Sequence, residues 1–156
     1  MSSALALDRR LRWSLYAAFA LLFATGAIWL VADQLKDSDS GEFWQATIAN
    51  MLMVHGGAAM VTLLLLGALL PIHIARAWRG RLNRVSGAIM IACNAVLIVT
   101  AFGLYYLGVE TLHPWASDAH IAAGFALPLL LSFHIWLGRR RIKDKVDARA
   151  LKPAKG

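Results

Sequence analysis

Four histidines lie inside the apolar stretches of this chain, and they form two pairs along two segments. His73 follows His55 at position i+18, and His134 follows His120 at position i+14. At about 100° per residue, the first spacing makes about five whole α-helical turns, and the second falls within about 40° of four turns. Each pair therefore shares a helix face. Imidazole without a partner is costly in hydrocarbon, so the alignment predicts a bound ligand.

The composition indicates that these histidines lie in a membrane. The chain has 156 residues, of which 59% are hydrophobic, and its mean hydropathy is +0.58. Four stretches of 20, 33, 25 and 20 residues carry no charge, and each can cross a hydrocarbon core of roughly 30 Å as a helix. We therefore predict an all-α four-helix membrane bundle at 13–138, between an arm at 1–12 and a basic tail at 139–156. The predicted helices lie near 13–34, 47–76, 85–109 and 117–138.

The basic residues predict the orientation of the bundle. Of the 16 Lys and Arg, 15 fall in the N-terminal arm, the loop after the second helix or the tail, and only Lys36 falls on the other side. By the positive-inside rule both termini are cytoplasmic, and we expect a bacterial inner membrane. The net charge of +7 then reflects topology and contact with lipid headgroups, so it does not call for nucleic acid as a partner.

The depths of the histidines indicate the ligand. The second and fourth helices run in the same direction, so His55 is level with His120, and His73 is level with His134. At 1.5 Å per residue the two levels are roughly 27 Å and 21 Å apart along the helices, too far for one ion. Two imidazoles at one level match the axial ligands of a b-type haem, which transfers single electrons. We therefore predict two haem b groups as cofactors.

Three glycines are candidates for close packing against a haem. Gly56 and Gly57 follow His55 directly, and Gly124 lies one turn after His120. Glycine allows a flat porphyrin to approach the backbone. Glycine also serves plain helix packing in membranes, so both explanations are open.

Residues near the helix ends supply further candidates. Arg76 and Arg139 lie just inside the inner histidine pair, where they could bind haem propionates, although the topology alone also accounts for them. Glu110 and His113 lie in the outer loop between the third and fourth helices, where they could accept protons from a quinol. A capped helix start with Asp118 near the N-terminus explains part of that loop.

The pattern resembles the four-helix di-haem core of b-type membrane cytochromes, as in the N-terminal half of cytochrome b of quinol-oxidising complexes. It is also similar in size to cytochrome b561-like and formate-dehydrogenase-type membrane subunits, which carry ligands on other helices. The resemblance covers about residues 13–140. It implies a membrane quinone as one partner, a separate redox subunit or carrier on the periplasmic side as the other, and a subunit without catalytic activity alone.

The histidine spacing matches this resemblance only in part. The spacing of fourteen positions from His120 to His134 agrees with the family, whereas the spacing of eighteen from His55 to His73 does not. Helix tilt and a kink at Pro71 would shorten the longer separation. The other explanation is that only the outer haem has two histidine ligands.

Two functions without haem compete with this prediction. One is a transporter in which the histidines relay protons or bind a transition metal, which predicts polar companions at mid-bilayer. Only Thr62 and Ser132 lie between the histidines on their helices. The other is a haem-free membrane anchor for a larger enzyme, which leaves the histidine alignment to coincidence.

Overall fold

The computed structural model describes residues 8–150 except 39, 82, 107, 109 and 110, and it describes only the backbone at 142, 145, 146 and 148–150. Within these residues the chain is helical and has no strand, which confirms the all-α prediction. The elements are α1 (Arg9–Leu35), α2 (Gly41–Leu69), a π-helical turn (Leu70–Ile74), α3 (Ala75–Arg79), α4 (Arg84–Tyr106) and α5 (His113–Ala150).

Four helical segments are long and apolar enough to cross a membrane, as the sequence predicts. They contain 27, 39, 23 and 29 residues, and the second joins α2, the π-helical turn and α3. At 1.5 Å per residue even the shortest is about 35 Å long, which exceeds a hydrocarbon core of roughly 30 Å. Large apolar side chains stay exposed on these segments, among them Leu64, Val99 and Leu129. Such a surface fits lipid as its solvent.

The chain divides into two compact units between Gly80 and Arg81. In the first unit α1 packs against α2. Ala18, Thr25 and Ala32 are buried on α1 at every seventh position. Small residues at a helix contact let two backbones approach closely, which is a main source of helix association in membranes.

In the second unit α4 packs against α5 as an antiparallel hairpin. Three polar contacts join the helices, and the residue number falls on α5 as it rises on α4. They are Ser86 with His134, Cys93 with Ala123, and Thr100 with His120. The α4 partners recur at every seventh position, so one seam runs along this hairpin.

The helix ends differ from the sequence estimate, most of all in the last helix. It begins at His113 and continues to Ala150, whereas the sequence predicts a helix near 117–138. Pro114 therefore lies in the first turn, where the missing N–H costs little because the first N–H groups have no intrahelical acceptor. Asp118 lies in the second turn and is not a cap. The prediction ended this helix before Arg139, but Arg and Lys are good helix formers, and the helix continues past the arginines.

Candidate functional site

Three of the four predicted ligand histidines make the same contact. In each, ring atom Nδ1 lies within hydrogen-bond distance of a hydroxyl on the neighbouring helix of its own unit. The pairs are His55 with Thr25 at 2.9 Å, His120 with Thr100 at 2.9 Å, and His134 with Ser86 at 3.0 Å. The three imidazoles are half-buried, so they are held in place at the helix seams.

The direction of these hydrogen bonds depends on the tautomer of the imidazole and on where the hydroxyl proton points. A hydroxyl has one proton and two lone pairs, and each of the three hydroxyls donates its proton to a carbonyl of its own helix. The distances are 2.8 Å from Thr25 to Leu21, 2.6 Å from Thr100 to Val96, and 3.2 Å from Ser86 to Asn83. The hydroxyl oxygen then accepts from Nδ1–H. That assignment places the imidazole lone pair on Nε2, the nitrogen that would coordinate a metal.

The second unit repeats this arrangement at two levels. The spacing from Ser86 to Thr100 on α4 equals the spacing from His120 to His134 on α5. Because the hairpin is antiparallel, equal spacings keep both hydroxyls opposite both imidazoles. The two levels are separated by about 21 Å along the helix. The hydroxyls on α4 are therefore spaced along their helix in the same way as the two histidines on α5.

On α1, the surroundings of His55 include a glycine. A Cβ added at Gly26 would lie 3.5 Å from Cε1 of His55, which is ordinary van der Waals contact. Thr25 and Gly26 thus supply a hydrogen-bond acceptor and the space for the ring in consecutive positions. Larger side chains at residue 26 would move the imidazole.

Trp29 lies one turn after Thr25 on α1 and presents a buried donor. Its Nε1 atom is buried and has no hydrogen-bond partner among the described residues. A buried N–H without an acceptor costs about 1–3 kcal/mol, so an acceptor bound there would be stabilised.

The cation at the C-terminal end of α1, Lys36, forms an ion pair within the chain. The Lys36 ammonium donates to the Asp33 carboxylate at 3.0 Å, which raises the pKa of Lys36 above its ordinary value.

His73 differs from the other three because it lies in the π-helical turn Leu70–Ile74. Pro71 lies in the same turn; it has no N–H to donate, and its ring pushes away the carbonyl of the preceding turn. The disturbance that the sequence predicts at Pro71 therefore takes the form of a π-helical turn. A π-helical turn holds more residues than an α-helical turn, so the count of five whole turns between His55 and His73 no longer applies.

The candidate glycines differ in their helical positions. Gly124 lies about 40° around α5 from His120, whereas Gly57 lies about 200° around α2 from His55, on the opposite face. Gly56 lies about 100° from His55. A Cβ added at Gly57 or Gly124 would meet no described atom within 4 Å. Packing among the described residues therefore does not explain these two glycines, and Gly124 alone shares a face with its histidine.

The remaining candidates lie at the helix ends. Arg76 in α3 and Arg139 in α5 are exposed. His113 is the first residue of α5 and is exposed, close to Trp115 with 75% of its surface accessible. Glu110 lies outside the described residues, so its predicted proximity to His113 stays a prediction.

Sequence reasoning missed the residues that hold the imidazoles, namely the hydroxyls of Thr25, Ser86 and Thr100. A signal was present, because Ser86 and Thr100 repeat the spacing of His120 and His134. No three side chains of the His, Cys, Asp and Glu types come together as a metal-binding group in the part of the chain that the structure describes. Comparison of the chain with protein-family models, with curated proteins and with solved structures finds no match.

Proposed function

We propose that this protein is a b-type di-haem cytochrome of the membrane, in which histidines of α2, the π-helical turn and α5 supply the axial nitrogens. His55 would pair with His120, and His73 with His134. The observation that supports this proposal is the hydrogen bond from Nδ1 to a hydroxyl at three of the four histidines. Haem b, when bound through two imidazoles, would supply one-electron transfer without an open position for oxygen.

The hydroxyls would prepare each imidazole as a ligand. A histidine that binds a metal usually donates its other ring N–H to a nearby acceptor, which fixes the tautomer and orients the ring. Thr25, Ser86 and Thr100 are such acceptors. Each hydroxyl donates its proton to a backbone carbonyl. To donate to Nδ1 instead, the hydroxyl would have to break that hydrogen bond.

The same hydrogen bonds count against a proton relay. A relay needs groups that pass a proton onward along a chain. Here each imidazole–hydroxyl pair ends at a backbone carbonyl, which neither gains nor loses a proton. A haem-free anchor, the other alternative, leaves three oriented imidazoles without a role. Both alternatives therefore explain fewer of the observed contacts than haem does.

Several other residues fit the periphery of a haem. The buried Nε1–H of Trp29 is suited to donate to a propionate near the outer histidines, where the sequence offers few cations. The exposed guanidinium groups of Arg76 and Arg139 are suited to the inner propionates. Gly124 shares a face with His120 and has open space beside it, which suits a flat ring close to the backbone.

The partners would be a membrane quinone and a redox protein. We propose a bacterial inner membrane with both termini in the cytoplasm, from the distribution of Lys and Arg. His113 is exposed at the start of α5 and would accept a proton from quinol at the outer surface, with Glu110 as a second candidate.

Counting haem in purified protein tests the proposed cofactor. The pyridine haemochrome assay should give two haems per chain for the parent, and H120A and H134A should each lose one. H113A is the matched control, since this histidine lies outside the pairs, and it should keep both. A folded parent without a Soret band would end the proposal, and one haem per chain would remove the inner site.

A kinetic experiment tests the proposed role of His113. Replacing it by Ala should abolish haem reduction by quinol, because the proton acceptor is lost. The dithionite-reduced spectrum should stay intact, because no ligand changes. Quinol kinetics equal to those of the parent would remove His113 from the quinone site.

A further inference from the structure

A cleft in the second unit has no role in the proposed electron transfer. Its volume is about 260 Å³, and it lies between the turn before α4, the first turn of α4 and the later part of α5. Its lining includes three cations, an amide, a hydroxyl and an apolar side chain. These are Arg81, Arg84, Arg141, Asn83, Ser86 and Leu137.

The cleft is suited to a phosphate group. Guanidinium groups bind phosphate oxygens through pairs of parallel N–H donors, and the Asn83 amide, which also lines the cleft, can add a further donor. No carboxylate lines the cleft among the described residues. Water occupies about 30 Å³ per molecule, so the cleft holds a group several times larger than a single water.

The backbone around the cleft favours an anion as well. Arg84 is the first residue of α4, and a helix N-terminus carries partial positive charge that stabilises anions. Arg81 and Asn83 have φ angles of 52° and 46°, a left-handed conformation that is uncommon for side chains other than glycine and that recurs at ligand sites.

The position of the cleft identifies the carrier of the phosphate. Arg84 directly precedes one charge-free stretch, and Leu137 lies two residues before the run of three arginines that follows another. The cleft therefore lies at the border between apolar and basic sequence, beside Val85, which is 76% exposed. A free phosphate ion makes no favourable contact with the apolar residues beside the cleft, whereas the acyl chains of a phospholipid can pack against them.

We propose that this cleft binds the phosphate of an anionic membrane phospholipid, with Arg81, Arg84 and Arg141 as the principal contacts. This proposal does not depend on haem. It assigns to these three arginines a specific site, beyond the general excess of positive charge that the topology requires.

Lipid retention in the full-length protein tests the proposal. The detergent-solubilised chain is titrated with phosphatidylglycerol, and bound lipid is counted by native mass spectrometry. R81Q/R141Q should lower the affinity for one lipid by roughly tenfold or more, since two headgroup cations are lost. The matched control is R9Q/R10Q, which removes the same charge from exposed positions on α1 and should retain the lipid.

The remaining outcomes also decide the proposal. Equal losses in both double variants would mean general attraction by charge and would overturn it. Displacement of the lipid by millimolar inorganic phosphate would show that a free ion is the ligand and would overturn the assignment to lipid. Equal retention of phosphatidylcholine would show that the negative charge is not recognised. Circular dichroism of R81Q/R141Q confirms that its helices are intact before binding is compared.

Discussion

At the scale of residues, the contact between imidazole and hydroxyl is the smallest unit of the candidate site. One Ser or Thr on a neighbouring helix does two things at once: it donates to its own backbone and accepts from Nδ1 of histidine. The second bond fixes the tautomer, and the first keeps the hydroxyl from reversing its role. In metal sites, an acceptor for one ring nitrogen of histidine orients the ring so that the other nitrogen can bind the metal.

Under the proposed function, replacing Thr100 by Val should weaken haem binding at the level of His120. The substitution keeps the shape of the side chain but removes the acceptor of Nδ1–H, and loss of such an outer contact typically lowers metal affinity by about 10–100-fold. Haem retention during dilution and the reduced α-band measure the effect.

Thr62 provides the control for that experiment. Its hydroxyl donates to Ala58 on its own helix at 2.8 Å, the same backbone contact that Thr100 makes. T62V should therefore lower stability by about 1 kcal/mol through loss of that backbone contact and, under the proposed function, leave haem retention unchanged. Equal haem retention in T100V and T62V would mean that the hydroxyl of Thr100 does not support a ligand.

At the scale of elements, the two long segments that carry histidines differ in the helix geometry around their prolines. Pro71 lies in a π-helical turn, whereas Pro128 lies inside an uninterrupted α5. π-helical turns inside α-helices are rare and occur frequently at functional sites. His73 lies two positions after Pro71, so its direction depends on this turn.

Replacing Pro71 by Ala should restore regular α-helix, which returns His73 to the face of His55 and away from the direction that the π-helical turn gives it. We expect loss of the haem at the level of His73 and retention of the haem at the level of His55, because only residues after the turn change their phase. The haemochrome assay counts the loss. P128A is the control and should keep both haems, and a P71A variant with two haems would show that the π-helical turn is not needed.

At the scale of the whole molecule, each unit is a helix pair in which the first helix supplies a hydroxyl and the second supplies a histidine. Thr25 serves His55 in one unit, and Thr100 serves His120 in the other. The second and fourth of the long apolar segments each carry two histidines, which fits this shared arrangement. Under the proposed function each haem needs one histidine from each unit.

Expressing residues 1–80 and 81–156 as separate chains tests that requirement. Neither half alone should hold haem through two histidines, and co-expression should restore a protein with the spectrum of the intact chain. The absorption spectrum and the elution of both halves with haem measure the result. A single half with a complete bis-histidine spectrum would show that haem is not shared between the units.

The sequence by itself determined the four membrane-spanning helices, because their apolar stretches carry the signal locally in length and composition. It also made His55, His73, His120 and His134 candidate ligands, because imidazole is unusual in apolar segments, and their role as ligands stays a prediction. The helix ends were less well predicted, since Arg and Lys neither begin nor end a helix by themselves.

Only the tertiary structure decided which atoms hold the histidines. Thr25, Ser86 and Thr100 meet their imidazoles across a helix pair, and that register depends on the packing of small residues along the whole seam. The cleft of Arg81, Arg84 and Arg141 likewise joins a turn to a helix that is distant from it in sequence. Such contacts between distant residues are set by the balance of packing and hydrogen bonding over both helices, which no local stretch of sequence contains.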